Sequence, residues 1–480
     1  MKKNRLLKKY FDQINLSGLR LSEKITIWHI LLFSLCFISL SAAVNRGGIP
    51  NTENYYYLPE SLSKKPLFSL LFSPVFDSLP RPRQLSFFFD IFDAYFIAAC
   101  VRLGIPHFLS ITHYIFSSLI GLFSYTFFTK DLKINKLFSI LLVVLFYTSS
   151  TVLFGYYFRT AKVGVALSVV ILIILAYRSF SLDQKANQSK KLFLWMGIFL
   201  STAAGALFDE QGLYIDGLIF VGAIVLTIAT WDEKRFISLS AITASLIICL
   251  IYYFVIYPRL YYSINQEIPL QLYLKGISFN LQMGVENLVQ GWLLFIDTIR
   301  FLYGNLTRFQ VYVFLFPICI TSSIAAGQET KDKNGVGRFF PFILLLWFIL
   351  GAWVMNATMV YQHPPLVWPD IRRVYYWFPI IAMVTTLLPI LIRPLFVYKH
   401  NHKNRFIMIT IILLILIGGN IYAIPEINFI LRTGHLRDSY TNSPEILEGL
   451  KNLNNASYFP SQSVINDGIY QYFKTQNIFP

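Results

Sequence analysis

Residues 25–44 read ITIWHILLFSLCFISLSAAV, and residues 45–106 continue NRGGIPNTENYYYLPESLSKKPLFSLLFSPVFDSLPRPRQLSFFFDIFDAYFIAACVRLGIP. The first stretch carries no acid, lysine or arginine and runs for about twenty residues, the length of one helix across a bilayer. The second interleaves acids (Glu53, Glu60, Asp77, Asp90, Asp93), bases (Arg46, Lys64, Lys65, Arg81, Arg83, Arg102) and aromatics, and contains no apolar run that crosses easily. An anchor followed by a long polar loop on the membrane surface is the plan these two stretches predict.

The rest of the chain obeys the same solvent. Only 14% of the 480 residues are charged against 55% hydrophobic, where soluble domains carry about a quarter charged residues. The chain is therefore read as an all-α polytopic membrane protein. Aromatic residues make up 17%, and Tyr and Trp favour the headgroup layer. The net charge of +16 comes from lysines and arginines scattered through loops between apolar runs. That is the pattern of topology signals and of attraction to anionic headgroups, so no nucleic-acid partner is expected. Cys36, Cys249 and Cys319 lie in apolar runs and Cys100 near the end of the first loop, with no metal or redox spacing among them.

In order, residues 1–24 form a basic, mildly amphipathic segment on the cytoplasmic face. A cleaved signal peptide is the competing reading of residues 25–44, since Ser41-Ala42-Ala43 resembles a cleavage site, but the long polar lead-in favours an anchor. Further apolar runs follow at 107–129, 137–157, 163–177, 192–208, 213–230, 236–256, 311–327, 339–361, 374–392 and 406–423. With the anchor these predict about eleven transmembrane helices within a 25–423 domain. A small outer tail, 424–480, completes the chain. Loops rich in base (Lys130 to Lys136, Arg178 to Lys191, Lys234 and Arg235, Lys331 to Arg338, Lys399 to Arg405) alternate with base-poor ones. The positive-inside bias then places the N-terminus inside and puts the first loop (45–106), the later segment 257–310 and the tail outside.

Two basic pairs break that bias: Arg159 with Lys162, and Arg372 with Arg373. Together with Glu53, Arg81, Arg83, Asp90, Asp93, Asp209, Glu210 and Asp370, they gather acids and bases at one membrane face from four separate loops. Transfer of a group from a lipid phosphate suits such a set. A carboxylate deprotonates or orients an acceptor hydroxyl, and Arg and Lys hold the phosphate and its developing charge. Asp209 and Glu210 form a second acidic site that suits a divalent cation, Mg2+ or Mn2+. Each element also has a plainer role. Asp90 and Asp93, three apart, share a face if helical and fit an interfacial amphipathic helix with surface ion pairs. Asp209 fits the cap of a helix beginning near Gln211. Arg372 and Arg373 fit headgroup anchors. Asp216 and Asp297 lie in or beside apolar runs, where ionisable groups are functional candidates, but Asp216 is expected one turn from the edge and in reach of water.

These features resemble the GT-C superfamily of polytopic membrane glycosyltransferases. The resemblance rests on the 25–44 span, on NTENYYYLPESL at the start of a long first outer loop with interfacial helices, and on acids in a later short outer loop (Asp209-Glu210). It covers residues 25–423 in organisation. It implies a lipid-linked sugar donor of the polyprenyl-phosphate type, a surface glycan, lipid or protein acceptor, and a multi-pass place in a bacterial inner membrane. It implies Glu53 as the reacting carboxylate with Asp90 second, donor phosphate binding by Arg81, Arg83, Arg159, Lys162, Arg372 and Arg373, and Asp209 and Glu210 as the metal or second acidic site. The family usually shows aspartate where this chain has Asn51-Thr52-Glu53-Asn54, so Glu53 stands as the only acid there. An O-antigen-type polymerase or ligase, with Arg259, Arg300 and Arg308 in its late loop, is one alternative. A transporter or flippase, with charges inside its spans, is another.

Overall fold

The computed structural model describes residues 67–72, 82–102, 111–149, 152, 161–180, 187–230, 236–265, 289, 292–293, 309, 378–397 and 402–430. No strand occurs among them. The longer helices are α1 (Leu67–Leu71), α2 (Gln84–Arg102), α3 (Ile111–Thr126), α4 (Lys136–Thr148), α5 (Ala161–Phe180), α6 (Gln188–Phe208) and α7 (Glu210–Thr230). They continue with α8 (Phe236–Ile251), α9 (Tyr257–Asn265), α10 (Phe378–Val397) and α11 (His402–Ile430). A π-helical turn extends α3 through Asp131, and another joins α8 to α9. Four of these stretches are long and apolar enough to cross a membrane: Ile111–Asp131, Ala161–Ser179, Gln188–Phe208 and Phe236–Asn265. The expected spans at 25–44, 311–327 and 339–361, the N-terminal segment and the tail beyond 430 lie outside the described residues.

Helix α5 is the hub. Val163, Val165, Ala166, Val169 and Val170 are completely buried, and α5 packs against α6, α10, α3, α7 and α2. A helix apolar all round is a core helix. The expected run at 163–177 therefore begins earlier than its apolar residues do, and Lys162, assigned to a loop, lies in the first turn of α5. A lysine is tolerated there because its ammonium has a buried partner. At the far end Arg178 grips Asp131 through Nε (3.1 and 3.2 Å) and Nη2 (2.8 Å), tying α5 to the end of α3. Lys162 and Arg178 are about 24 Å apart at the rise of an α-helix, so ion pairs hold both ends of one apolar span.

Helix α2 is inverted relative to a soluble amphipathic helix. Ser86, Asp90 and Asp93 are fully buried, while Phe88, Phe92 and Tyr95 are 41%, 48% and 48% exposed. The spacing i, i+4, i+7 puts each trio on its own face. Asp90 and Asp93 thus share a face as expected, but that face turns into the protein rather than to the surface. Asp93 accepts hydrogen bonds from the backbone N–H (3.1 Å) and the hydroxyl of Thr112 and so caps the start of α3 from a neighbouring helix. Outward aromatics are the arrangement a lipid surface requires. The same logic fits the exposed Ile247, Ile248, Ile251 and Phe254 of the α8–π turn stretch and Ile411, Leu414 and Ile415 of α11.

The helix of α8 does not stop at residue 256, where the outer segment was expected to begin. It passes through Pro258 to Asn265. Proline lacks an N–H and crowds the carbonyl a turn earlier; the π-helical turn immediately upstream, in which Tyr257 N–H bonds Tyr252 O, accommodates this break in the ladder. Conversely, the expected run at 137–157 leaves the helix at Thr148, with Ser149 extended.

Asp93→Ala leaves the Thr112 N–H and hydroxyl buried without acceptors. It should lower stability by about 1–3 kcal/mol, measured by unfolding in detergent, with Phe88→Leu on the outward face of α2 as a near-neutral control.

Candidate functional site

Asp209 separates α6 from α7 by itself. Its backbone is extended (φ −164°), its N–H bonds Gly205 O (3.3 Å), and its carboxylate Oδ1 accepts from Gln211 N–H (2.9 Å). An acid at this position caps α7 and meets the positive end of the helix dipole. The expected four-residue loop at 209–212 is therefore a single-residue break, with Glu210 already in the first turn of α7. The break is tight because residue 212 is glycine: a Cβ there would collide with the carbonyl of Gly205.

Two cations converge on this corner. Lys162 Nζ lies 2.6 Å from Asp209 Oδ1. Arg83, immediately before α2, places Nη2 3.1 Å from Asp209 Oδ2 and 2.5 Å from Glu210 Oε2, and its Nε donates to the same Glu210 oxygen at 2.7 Å. Arg83 and Glu210 are 127 positions apart. The side chains of Arg83, Lys162 and Asp209 are at most 6% exposed, whereas Glu210 is 30% exposed. Burial alone would push the Asp209 carboxyl up, but the charges of Arg83 and Lys162 and the bonds from Lys162 and Gln211 outweigh it and hold the group below its ordinary range.

The surroundings are aromatic and hydrogen-bonding. Gln84, next to Arg83, accepts from the Tyr252 hydroxyl (2.7 Å), while its buried Nε2 has no partner among the described residues. The Tyr253 hydroxyl donates to Ala206 O near the end of α6. Phe89 packs on Phe116 and Phe208 just beneath. Asp90 is buried one turn along α2, accepting from Ser86 Oγ (3.0 Å).

Of the site residues expected from sequence, Arg83, Lys162, Asp209 and Glu210 come together, and Asp90 sits inside the packing of the adjoining helix. Glu53, Arg81, Arg159, Arg372 and Arg373 lie outside the described residues. Gln84 and Tyr252 carried no sequence signal, since an amide and one tyrosine of many stand out only once their partners are placed. Asp216 does not reach water as expected; it is 1% exposed.

Asp209 and Glu210 face the two cations Arg83 and Lys162, and among the described residues no three His, Cys, Asp or Glu side chains are placed to hold a metal. Comparison with family models and with curated proteins finds no match to this chain.

Asp209→Asn takes the carboxylate charge away from buried Lys162 and removes one of the two that face Arg83, and it should cost about 3–5 kcal/mol at neutral pH. A lowered carboxyl pKa stabilises above the ordinary value near 3.9 and loses that contribution as pH falls below it. The stability gap between wild type and Asp209→Asn should therefore be widest at neutral pH and narrow at about pH 3. A gap of constant size across that range would show that Asp209 is not held as an ionised partner.

Proposed function

We propose that the protein is a membrane glycosyltransferase that moves a sugar from a polyprenyl-phosphate donor to a glycan, lipid or protein acceptor on the outer face of a bacterial inner membrane. One observation carries this reading. The helix that closes the first long loop is tied by Arg83 to the acidic corner of a distant loop, so the two regions that would share a transferase site meet at one end of an apolar bundle. The partnerless Nε2 of Gln84 beside Arg83 offers a further donor to a phosphate oxygen or a sugar hydroxyl.

In this proposal Glu53 takes the proton of the acceptor hydroxyl. The acceptor oxygen bonds to the sugar's anomeric carbon as the bond from that carbon to the phosphate oxygen breaks, and the polyprenyl phosphate leaves with the electron pair. Asp90, buried against Ser86, fits a positioning role better than a base. Lys162 is committed to Asp209, so phosphate binding falls chiefly to Arg83. A donor reaching Arg83 displaces Glu210, the one exposed member of the cluster, and a planar guanidinium suits the two oxygens a phosphate presents. Arg81, Arg159, Arg372 and Arg373 extend the same basic face in sequence.

The test is transfer from a radiolabelled polyprenyl-phosphate sugar by the purified full chain in vesicles. Glu53→Gln should lose about 100-fold or more in kcat, and Arg83→Lys should raise KM for the donor. Wild-type turnover unaffected by either change would overturn the site; absence of any turnover with pentose and hexose donors alike would overturn the activity.

A further inference from the structure

Asp216 lies six residues into α7, about 9 Å along the helix from its start, and is 1% exposed. Among the described residues its Oδ2 has no hydrogen-bond partner and no basic side chain pairs with it. Its surroundings come from three other helices. On α6, Gly205 gives it room: a Cβ on Gly205 would lie 3.2 Å from Asp216 Oδ2 and 3.6 Å from Ser168 Cβ of α5. On α8, which packs against α7, Cys249 carries a buried free thiol. The Ser168 hydroxyl already spends its proton on Gly164 O (2.9 Å). Of the described cations at this end of the bundle, Lys162 pairs with Asp209 and Arg83 with Asp209 and Glu210.

A buried carboxylate without a donor or counter-ion is not kept ionised; it takes up a proton or a cation instead. We propose that Asp216 is a proton-binding site within the helix bundle, held as a neutral carboxylic acid between α5, α6, α7 and α8. Proton uptake forms the O–H bond at a carboxyl oxygen and removes the group's only charge, so no co-reactant is needed. The facing thiol, hydroxyl and glycine backbone contribute no positive charge to oppose it. Because Gly212 and Asp216 both lean on Gly205, release of this proton requires α7 to part from α6 at the same corner that carries the Asp209 cluster. The site is independent of sugar transfer, and it is the feature by which a proton-coupled transporter of the same architecture would be recognised.

The experiment uses the full chain in lipid nanodiscs at neutral pH, without and with sodium. Infrared difference spectra between wild type and Asp216→Asn should show loss of a protonated-carboxyl C=O band that sodium does not alter. A hydrophobic carbodiimide, which attacks protonated carboxyls in apolar surroundings, should label Asp216 of the wild type at least tenfold more than Asp209, as read by peptide mass. Asp216→Leu, which keeps bulk without charge, should melt no lower than wild type. Loss of carboxylate bands alone, replacement of the C=O band on adding sodium, equal labelling of Asp209, or a lowered melting temperature in Asp216→Leu would each overturn the proposal.

Discussion

The end of the bundle where α6 meets α7 depends on one constraint: a charge removed from water must find a partner. Asp209 is the residue on which that constraint closes. It ends one helix, caps the next, and binds Lys162 of the central helix and Arg83 at the head of α2. With Glu210 the group is neutral, two cations against two carboxylates, which is the condition for burying it. Remove that neutrality and the corner has no reason to hold the first loop's closing helix against α5, α6 and α7. A second pair, Arg178 with Asp131, fastens the other end of α5, so the apolar hub is pinned by charge at both ends.

The inversion of α2 follows from the same physics seen from outside. Where the surrounding medium is hydrocarbon, phenylalanines belong on the surface and acids belong in the interior with donors. Asp93 has Thr112, Asp90 has Ser86, and Phe88 and Phe92 face outward. Periodicity alone locates two faces on such a helix without saying which one faces the protein, because the usual inference assumes water outside.

That is the boundary between what was legible in residues and what was not. The apolar runs and their separations were readable because span length is a simple constraint, and helices cover the described residues of those runs except at Ser149, where the 137–157 run leaves the helix. Asp209 was readable as a cap, and the gathering of Arg83, Lys162, Asp209 and Glu210 at one end was readable from loop alternation. Lys162 inside α5, the helix running past Pro258, and the burial of Asp216 were not. Each depends on a partner or a local ladder irregularity far away in sequence or invisible in composition. Nor did charge pattern show that the cations and carboxylates would neutralise one another.

The central claim is that Arg83 and Asp209 act as a unit joining the first loop to the α6–α7 corner. A double-mutant cycle with Arg83→Met and Asp209→Asn, read as unfolding free energy in detergent at neutral pH, tests it most directly. The cluster predicts a coupling energy of about 1–3 kcal/mol, with the double variant less damaged than the sum of the singles. Additivity to within about 0.5 kcal/mol would contradict it.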